Sequence, residues 1–281
     1  MAKIPTCNER FANFVPSHKE YYADPGAFQV EPFQIYKDLY YVGDEKVCMH
    51  LLDTGDGLIL FDSGYPNTYE YLLRSIRQLG FDPKDIRYVI HSHGHFDHFG
   101  SGDLLRRDFG CKVLMSRVDT DLVKEMPRRA LCHLGPEGFD DVCWPDEVID
   151  DGQILQLGSK QILCRLAPGH TFGTLAFFFD VGGLRAGYWG GIGLLTMYKQ
   201  YCREMNLPET KIQAMRSTIS MLRNEKVDIV LGNHPTQNAT MEKRAKMLID
   251  PDTNPFLDGS EWQRFLTRVE SSLNEFESLG Y

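Results

Sequence analysis

From residue 33 the chain sets short apolar runs against polar punctuation: F-Q-I-Y, L-Y-Y-V, V-C-M-H-L-L-D and L-I-L-F-D, with the turn T-G-D-G between the last two. Runs of this kind predict successive strands joined by tight turns. At residues 67–79 the period changes, and Tyr69, Leu72, Leu73, Ile76 and Leu79 fall on one stripe that stops at Gly80. That spacing predicts a helix with a glycine stop. An apolar strand follows at 86–90. The unit is strand, helix, strand, so whatever comes next sits at a strand's carboxyl end, where α/β sheets place their chemistry.

The remaining pattern continues in the same manner. Residues 100–109 and 118–124 read as helices on either side of a strand at 112–115. Residues 126–147 carry Pro127, Gly135, Pro136, Gly138 and Pro145 and read as a long irregular segment of the kind that covers a site. Strands are predicted at 153–157, 161–167, 175–179, 184–189 and 227–231, with a helix at 209–223 and a mainly helical tail beyond 238, broken at 251–255. Residues 1–30 show no period and contain Pro16, Pro25 and Gly26, which reads as an arm packed on a domain or partner. Residues 31–281 show no repeat and no low-complexity linker, so one α/β domain with a helical tail fits them.

The stretch directly after the strand at 86–90 is I-H-S-H-G-H-F-D-H-F-G, residues 90–100. It places His93, His95, Asp97 and His98 within six residues. Imidazole with carboxylate suits a borderline metal such as Zn²⁺. In an extended segment His93, His95 and Asp97 project to one side, and a turn at 97–98 aims His98 elsewhere, so one loop serves two adjacent metals. His170 in A-P-G-H-T and His234 in L-G-N-H-P each follow a predicted strand and complete two sets. The first is His93, His95 and His170; the second is Asp97, His98 and His234. Asp62, at the end of I-L-F-D-S-G, is the expected acceptor for a ligand's second N–H, with Thr171 in the same supporting layer. His91 reads as structural. Tyr188, Trp189, Ile192 and the 126–147 segment are expected to wall the substrate site.

Two zinc ions about 3.5–4 Å apart share a water, bring its pKa near neutrality and hold the hydroxide as nucleophile, so no serine or cysteine nucleophile is required. His95, Asp97 and His98 are therefore expected to be indispensable to catalysis. The reaction class is hydrolysis of a polarised carbonyl in a small molecule: an amide, lactam, lactone or ester.

Composition narrows the class further. With 39 Asp and Glu against 30 Lys and Arg the formal charge is −9, which argues against a phosphate-backbone partner. No apolar run approaches a membrane span, and the first ten residues lack the apolar core of a secretory signal, so a cytoplasmic location is expected. Seven scattered cysteines without C-x-x-C spacing read as reduced thiols. The arm and the helical tail are the surfaces available to a homo-oligomer interface.

H-x-H-x-D-H at 93–98, Asp62 upstream and single histidines at 170 and 234 resemble the metallo-β-lactamase-fold superfamily over residues 33–245. L-I-L-F-D-S-G-Y-P-N-T, H-S-H-G-H-F-D-H-F-G, P-G-H-T and N-H-P are most similar to its third subclass of lactamases. The resemblance implies an αββα sandwich with a dizinc site at one edge, the second zinc held by Asp97, His98 and His234 without cysteine. Two features depart from that subclass. Its members are normally exported. It also carries a serine-containing A-D-S-L-type segment where this chain has A-G-Y-W-G-G-I-G at 186–193, a segment that also lacks the bridging aspartate of glyoxalase-II-like and lactonase relatives. His95 stands where flavodiiron relatives have glutamate, which favours zinc over iron. The rival readings are a true β-lactamase, revealed by a chromogenic cephalosporin; a lactonase or thioesterase, revealed by its esters; and a metal-bearing scaffold protein without turnover, which zinc removal would unfold.

Overall fold

The computed structural model describes residues 4–281. Two sheets lie face to face. The first is seven-stranded, in the order β1 (Phe33–Tyr36), β2 (Leu39–Tyr41), β3 (His50–Asp53), β4 (Leu58–Phe61), β5 (Ile86–Ile90), β6 (Lys112–Ser116) and β7 (Glu147–Ile149). It is antiparallel as far as β4 and parallel from β4 to β7. The second is five-stranded and contains β8 (Ile154–Leu157), β9 (Lys160–Leu166), β10 (Leu175–Val181), β11 (Leu184–Trp189) and β12 (Ile229–Gly232), in the spatial order β12-β11-β10-β9-β8. Within it only β11 and β12 pair in parallel.

The apolar runs that the sequence showed as continuous are strands buried on both faces. Every residue of β4 and β12 is buried, and in β10 only Asp180 is exposed. Alternate residues of β10 face opposite ways, as the strand period requires. Phe177 and Phe179 meet Phe61 of the first sheet with ring centroids 5.3 and 5.1 Å apart, whereas Phe178 points outward to Trp262 at 6.0 Å. Each such ring contributes roughly 1.5–3 kcal/mol by leaving water.

The helices are α1 (Cys7–Ala23), α2 (Tyr69–Gln78), α3 (Phe96–Phe99), α4 (Gly102–Phe109), α5 (Arg117–Glu125), α6 (Lys199–Glu204), α7 (Lys211–Leu222), α8 (Thr240–Ile249) and α9 (Glu261–Ser278). The stripe Leu72, Leu73 and Ile76 of α2 is buried in one cluster with Leu51, Leu60 and Val89, on the outer side of the first sheet. Phe265 and Trp262 of α9 pack on Trp189 and Phe178 outside the second sheet. The layers are therefore helix, sheet, sheet, helix, the αββα sandwich the resemblance implied. Among the described residues no helix is long and apolar enough to cross a membrane.

Several local expectations are corrected. The N-terminal arm is a helix from Cys7 to Ala23, with residues 1–3 outside the described part of the chain. Thr6 and Glu9 form a capping box at its start, and Pro16 inside it masked the helical pattern. The helix lies on the domain: Tyr21 donates to Asp44 at 2.7 Å, and Tyr22 donates to the Leu134 carbonyl at 2.8 Å. Helix α6 was not foreseen. Segment 126–147 contains short helical turns at Pro127–Ala130 and Cys132–Leu134, and it packs beside α3, with Phe139 6.4 Å from both Phe96 and Phe99.

Candidate metal centre

The carboxyl ends of β4, β5, β9, β11 and β12 meet at one edge of the sandwich. After β5 the chain bends through residues 92–94 and returns to an extended conformation at His95, which sits at φ −108°, ψ 148° as the N-cap of α3. Asp97 and His98 therefore lie on a helical turn, not on a continued extended strand as the alternation suggested. The change of backbone at His95 is what divides the ligands between two directions.

His95 Nδ1 lies 3.0 Å from His93 Nε2 and 3.0 Å from His170 Nε2. Beside this cluster, Asp97 Oδ2 is 3.3 Å from His98 Nε2 and 3.6 Å from His234 Nε2. Zinc–nitrogen bonds of about 2.0–2.1 Å at tetrahedral angles put ligand nitrogens roughly 3.3 Å apart, close to the spacing of the first cluster. Ligand atoms within 4.8 Å of one another form the groups His93, His95 and His170, and His93, Asp97 and His98, with His234 brought to the second through Asp97. The opposite nitrogens are also fixed. His93 Nδ1 meets Ser92 Oγ at 3.1 Å, His98 Nδ1 meets Asp62 Oδ2 at 2.8 Å, and His170 and His234 donate from Nδ1 to the carbonyls of Gly193 at 2.7 Å and Lys46 at 2.8 Å. A carbonyl only accepts, so Nδ1 of His170 and His234 bears the proton and Nε2 faces the cluster with a free lone pair.

Electrostatics favour the same assignment. Burial, followed by the neighbouring imidazoles, pushes His93 and His95 well below the ordinary histidine value. Burial also takes His170 down to about 3 and lowers His234. These rings are neutral at physiological pH, the form that binds a cation. His98 behaves oppositely: burial lowers it, but the carboxylates of Asp97 and Asp62 outweigh burial and raise it to about 10. Asp97 is pushed up by burial, yet His98, His234 and His95 hold it below the ordinary carboxylate range.

Asp62 ends β4 with φ 59°, a left-handed conformation unusual for a residue with a side chain. It accepts from the Ser92 amide at 2.6 Å, the Ser92 hydroxyl at 2.8 Å, His98, and the hydroxyl of Tyr188. Tyr188 and Trp189 are each 0% exposed. They are corrected from substrate wall to core: Tyr188 backs Asp62, and Trp189 faces α9. The glycines after Trp189 have a steric cause. A Cβ on Gly190 would lie 2.2 Å from Ser92 Cβ, and one on Gly191 would lie 2.9 Å from His170 Cδ2.

Ile192 does reach an open face. It borders a cleft of about 430 Å³ beside His234, with Arg10 from α1, Leu194, and Phe265, Arg268, Val269 and Ser272 from α9. Among the described residues no carboxylate lines this cleft. Sequence reading missed Arg10 and Arg268, because an exposed arginine on a helix carries no mark of what it faces. It also missed Asp119 and Lys211, which are 3% and 2% exposed behind the first ligand cluster. Burial pushes the Asp119 carboxyl up against its hydrogen bonds and takes the Lys211 ammonium down to about 8. The S-R-V-D pattern at Ser116–Asp119 reads only as a helix start, and that reading hid the aspartate. Thr171 supports His170 indirectly, donating to Asp119 at 2.7 Å. His91 is fully buried, 3.2 Å from the Ser63 hydroxyl.

The model of the metallo-β-lactamase superfamily matches residues 43–162. Hydroxyacylglutathione hydrolase GloC of Haemophilus influenzae is 26% identical over 223 residues, covering 76% of this chain and 93% of GloC. Of two other curated relatives the chain spans about half the length, 54% and 57%. Among solved structures, FEZ-1 metallo-β-lactamase from Legionella gormanii superposes with a TM-score of 0.79 at 24% identity, covering 88% of this chain and 95% of FEZ-1. BJP-1, a subclass B3 metallo-β-lactamase of Bradyrhizobium japonicum, gives 0.75 at 22% identity, covering 89% and 95%.

Proposed function

We propose that this chain is a member of the metallo-β-lactamase superfamily, whose model matches residues 43–162, and that it is a dizinc hydrolase opening a carbonyl bond of a small molecule. The observation that carries the proposal is the pair of ligand clusters that share one loop, His93, His95 and His170 beside Asp97, His98 and His234. When bound, two zinc ions supply an activated water and a Lewis acid for the carbonyl oxygen. The protein's own groups do the rest. Asp62 and the carbonyls of Gly193 and Lys46 fix the imidazole tautomers of His98, His170 and His234, and burial keeps His170 and His234 neutral. The cleft beside His234 holds the substrate.

The chemistry of the cleft favours a particular kind of substrate. Ile192, Leu194, Phe265 and Val269 offer apolar surface, while Arg10 and Arg268 offer two guanidinium groups. A small acyl compound with an apolar part and an anionic group suits both. Amides, lactams, lactones and esters all remain within this class. GloC, matched over most of its length, favours a second reading within it, an acylated thiol such as hydroxyacylglutathione. The seven buried, unpaired cysteines support a reducing, cytoplasmic setting. The formal charge of −9 supports the exclusion of nucleic acid, and α1 and α9 remain the surfaces for a homo-oligomer.

The test is a substrate panel on zinc-loaded protein: a chromogenic cephalosporin, a small lactone, a simple ester and an acyl-glutathione, each with and without a carboxylate. Zinc-dependent turnover of at least one carboxylate-bearing member supports the proposal. A fully zinc-loaded protein that hydrolyses none of them contradicts it and favours a scaffold role.

A further inference from the structure

We propose that Asp119 is a positioning residue that clamps together the two loops supplying His93, His95 and His170, with Lys211 holding the second of them, and so sets the metal affinity of that cluster separately from the other. The inference rests on the reading of the cluster as a metal site, but not on any substrate.

The Asp119 carboxylate holds both loops at once. Its Oδ2 accepts from the Gly94 amide at 2.8 Å and from Thr171 Oγ at 2.7 Å, while its Oδ1 accepts from the Gly173 amide at 2.8 Å. Gly94 lies between His93 and His95, and Thr171 follows His170. One side chain therefore spans segments that are 25 residues before it and 52 residues after it. Lys211 also grips the second loop, its Nζ donating to the His170 carbonyl at 2.8 Å with the rings of Phe172 and Tyr201 at 5.7 and 5.2 Å. Neither side chain hydrogen-bonds to Asp97, His98 or His234 among the described residues.

Helix capping does not explain Asp119. The start of α5 is already capped by Ser116, whose Oγ accepts from the Asp119 amide at 3.1 Å. The carboxylate turns away from its own helix to three donors elsewhere. The fit is close, since a Cβ on Gly173 would lie 2.3 Å from the Asp119 nitrogen, so the loop cannot shift toward α5. Burying an anion and a cation is costly unless each is fully engaged. Here Asp119 engages two backbone amides and the Thr171 hydroxyl, and Lys211 the His170 carbonyl, all beside the ligands. The first cluster consists of three imidazoles and contains no anionic ligand, so its affinity depends on how accurately those rings converge.

The experiment is a zinc titration of metal-free protein against a chromophoric chelator, with the Co²⁺ absorption spectrum recorded alongside. His170→Ala and His234→Ala identify which binding step belongs to which cluster. The variants tested are Asp119→Asn and Thr171→Val, each checked for an unchanged circular dichroism spectrum. The expected result for Asp119→Asn is a loss of about 10–100-fold in the step that His170→Ala removes, with an altered Co²⁺ band and the other step unchanged. Thr171→Val should move the same step by less, and it decides the question if Asp119→Asn does not fold. Folded variants with both steps unchanged, or with both weakened alike, overturn the inference. Wild-type protein that binds no zinc overturns the metal reading itself, before any variant is compared.

Discussion

Asp62 Oδ2 lies 2.8 Å from His98 Nδ1, and both side chains are fully buried. The other nitrogen of His98 is 3.3 Å from Asp97 Oδ2, so one imidazole joins a carboxylate inside the sandwich to one at its edge. Asp62 is held in turn by Ser92 from the loop after β5 and by Tyr188 from β11. The contact thus couples the two sheets to the ligand loop.

The first prediction concerns this contact. Tyr188→Phe removes one donor and leaves Asp62 with the others, which should lower unfolding stability by about 1–2 kcal/mol in urea. Asp62→Ala strands several buried donors together, so its cost should exceed that of Tyr188→Phe, and zinc affinity should fall about 10–100-fold. Equal stability of Tyr188→Phe and wild type would show that Asp62 does not depend on the tyrosine.

The second concerns the cleft. Arg268→Ala and Arg10→Ala should raise KM for a carboxylate-bearing substrate about tenfold with little change in kcat, as expected for loss of a charge-assisted hydrogen bond made equally in ground and transition states. The uncharged analogue of the same substrate should be unaffected. A matching rise for the uncharged analogue would point to altered packing of α1 or α9 instead.

The third concerns the attachment of α9, which brings Phe265, Arg268, Val269 and Ser272 to that cleft. Lys243 Nζ of α8 lies 2.6 Å from each carboxylate oxygen of Glu261, with side chains 10% and 7% exposed. Lys243→Met leaves a buried carboxylate without its partner and should cost about 3–5 kcal/mol. Adding Glu261→Leu should recover most of that loss. A double variant as unstable as the single one would assign the cost to packing.

A fourth follows from His50. Its Nε2 is 3.1 Å from the Gly232 carbonyl, its Nδ1 has no partner among the described residues, and the rings of Tyr41 and Tyr188 enclose it. Burial, opposed by Gly232 and Asp62, takes it down to about 4. Unfolded, it titrates near 6.5, so between these values the unfolded chain binds the extra proton and stability falls as pH falls. The loss across that window is on the order of 3 kcal/mol. His50→Gln should flatten the fall between pH 6.5 and 4 in urea titrations. A variant with the wild-type slope would place the acid sensitivity elsewhere.

Much of the sandwich was legible because its signals are local. The stripe of α2, the glycine after it and the apolar run of β5 each follow from neighbouring residues, and the six proposed ligands lie in the segments that follow β5, β9 and β12. What stayed hidden depended on tertiary context. Pro16 disguised a helix whose capping box lies at Thr6 and Glu9. Tyr188 and Trp189 read as rim residues because an apolar pair beside glycines looks the same whether it faces a cleft or a core. Asp119 offered only the pattern of a helix start, and its three acceptor bonds reach segments that no spacing along the chain connects.

The most direct test of the account is zinc content measured together with turnover on the same preparation, before and after chelation and after zinc is restored. The account predicts two zinc ions per chain, with hydrolysis of a carboxylate-bearing substrate that is lost on chelation and recovered with zinc. Turnover that persists in metal-free protein, or protein that takes up no zinc, would contradict it.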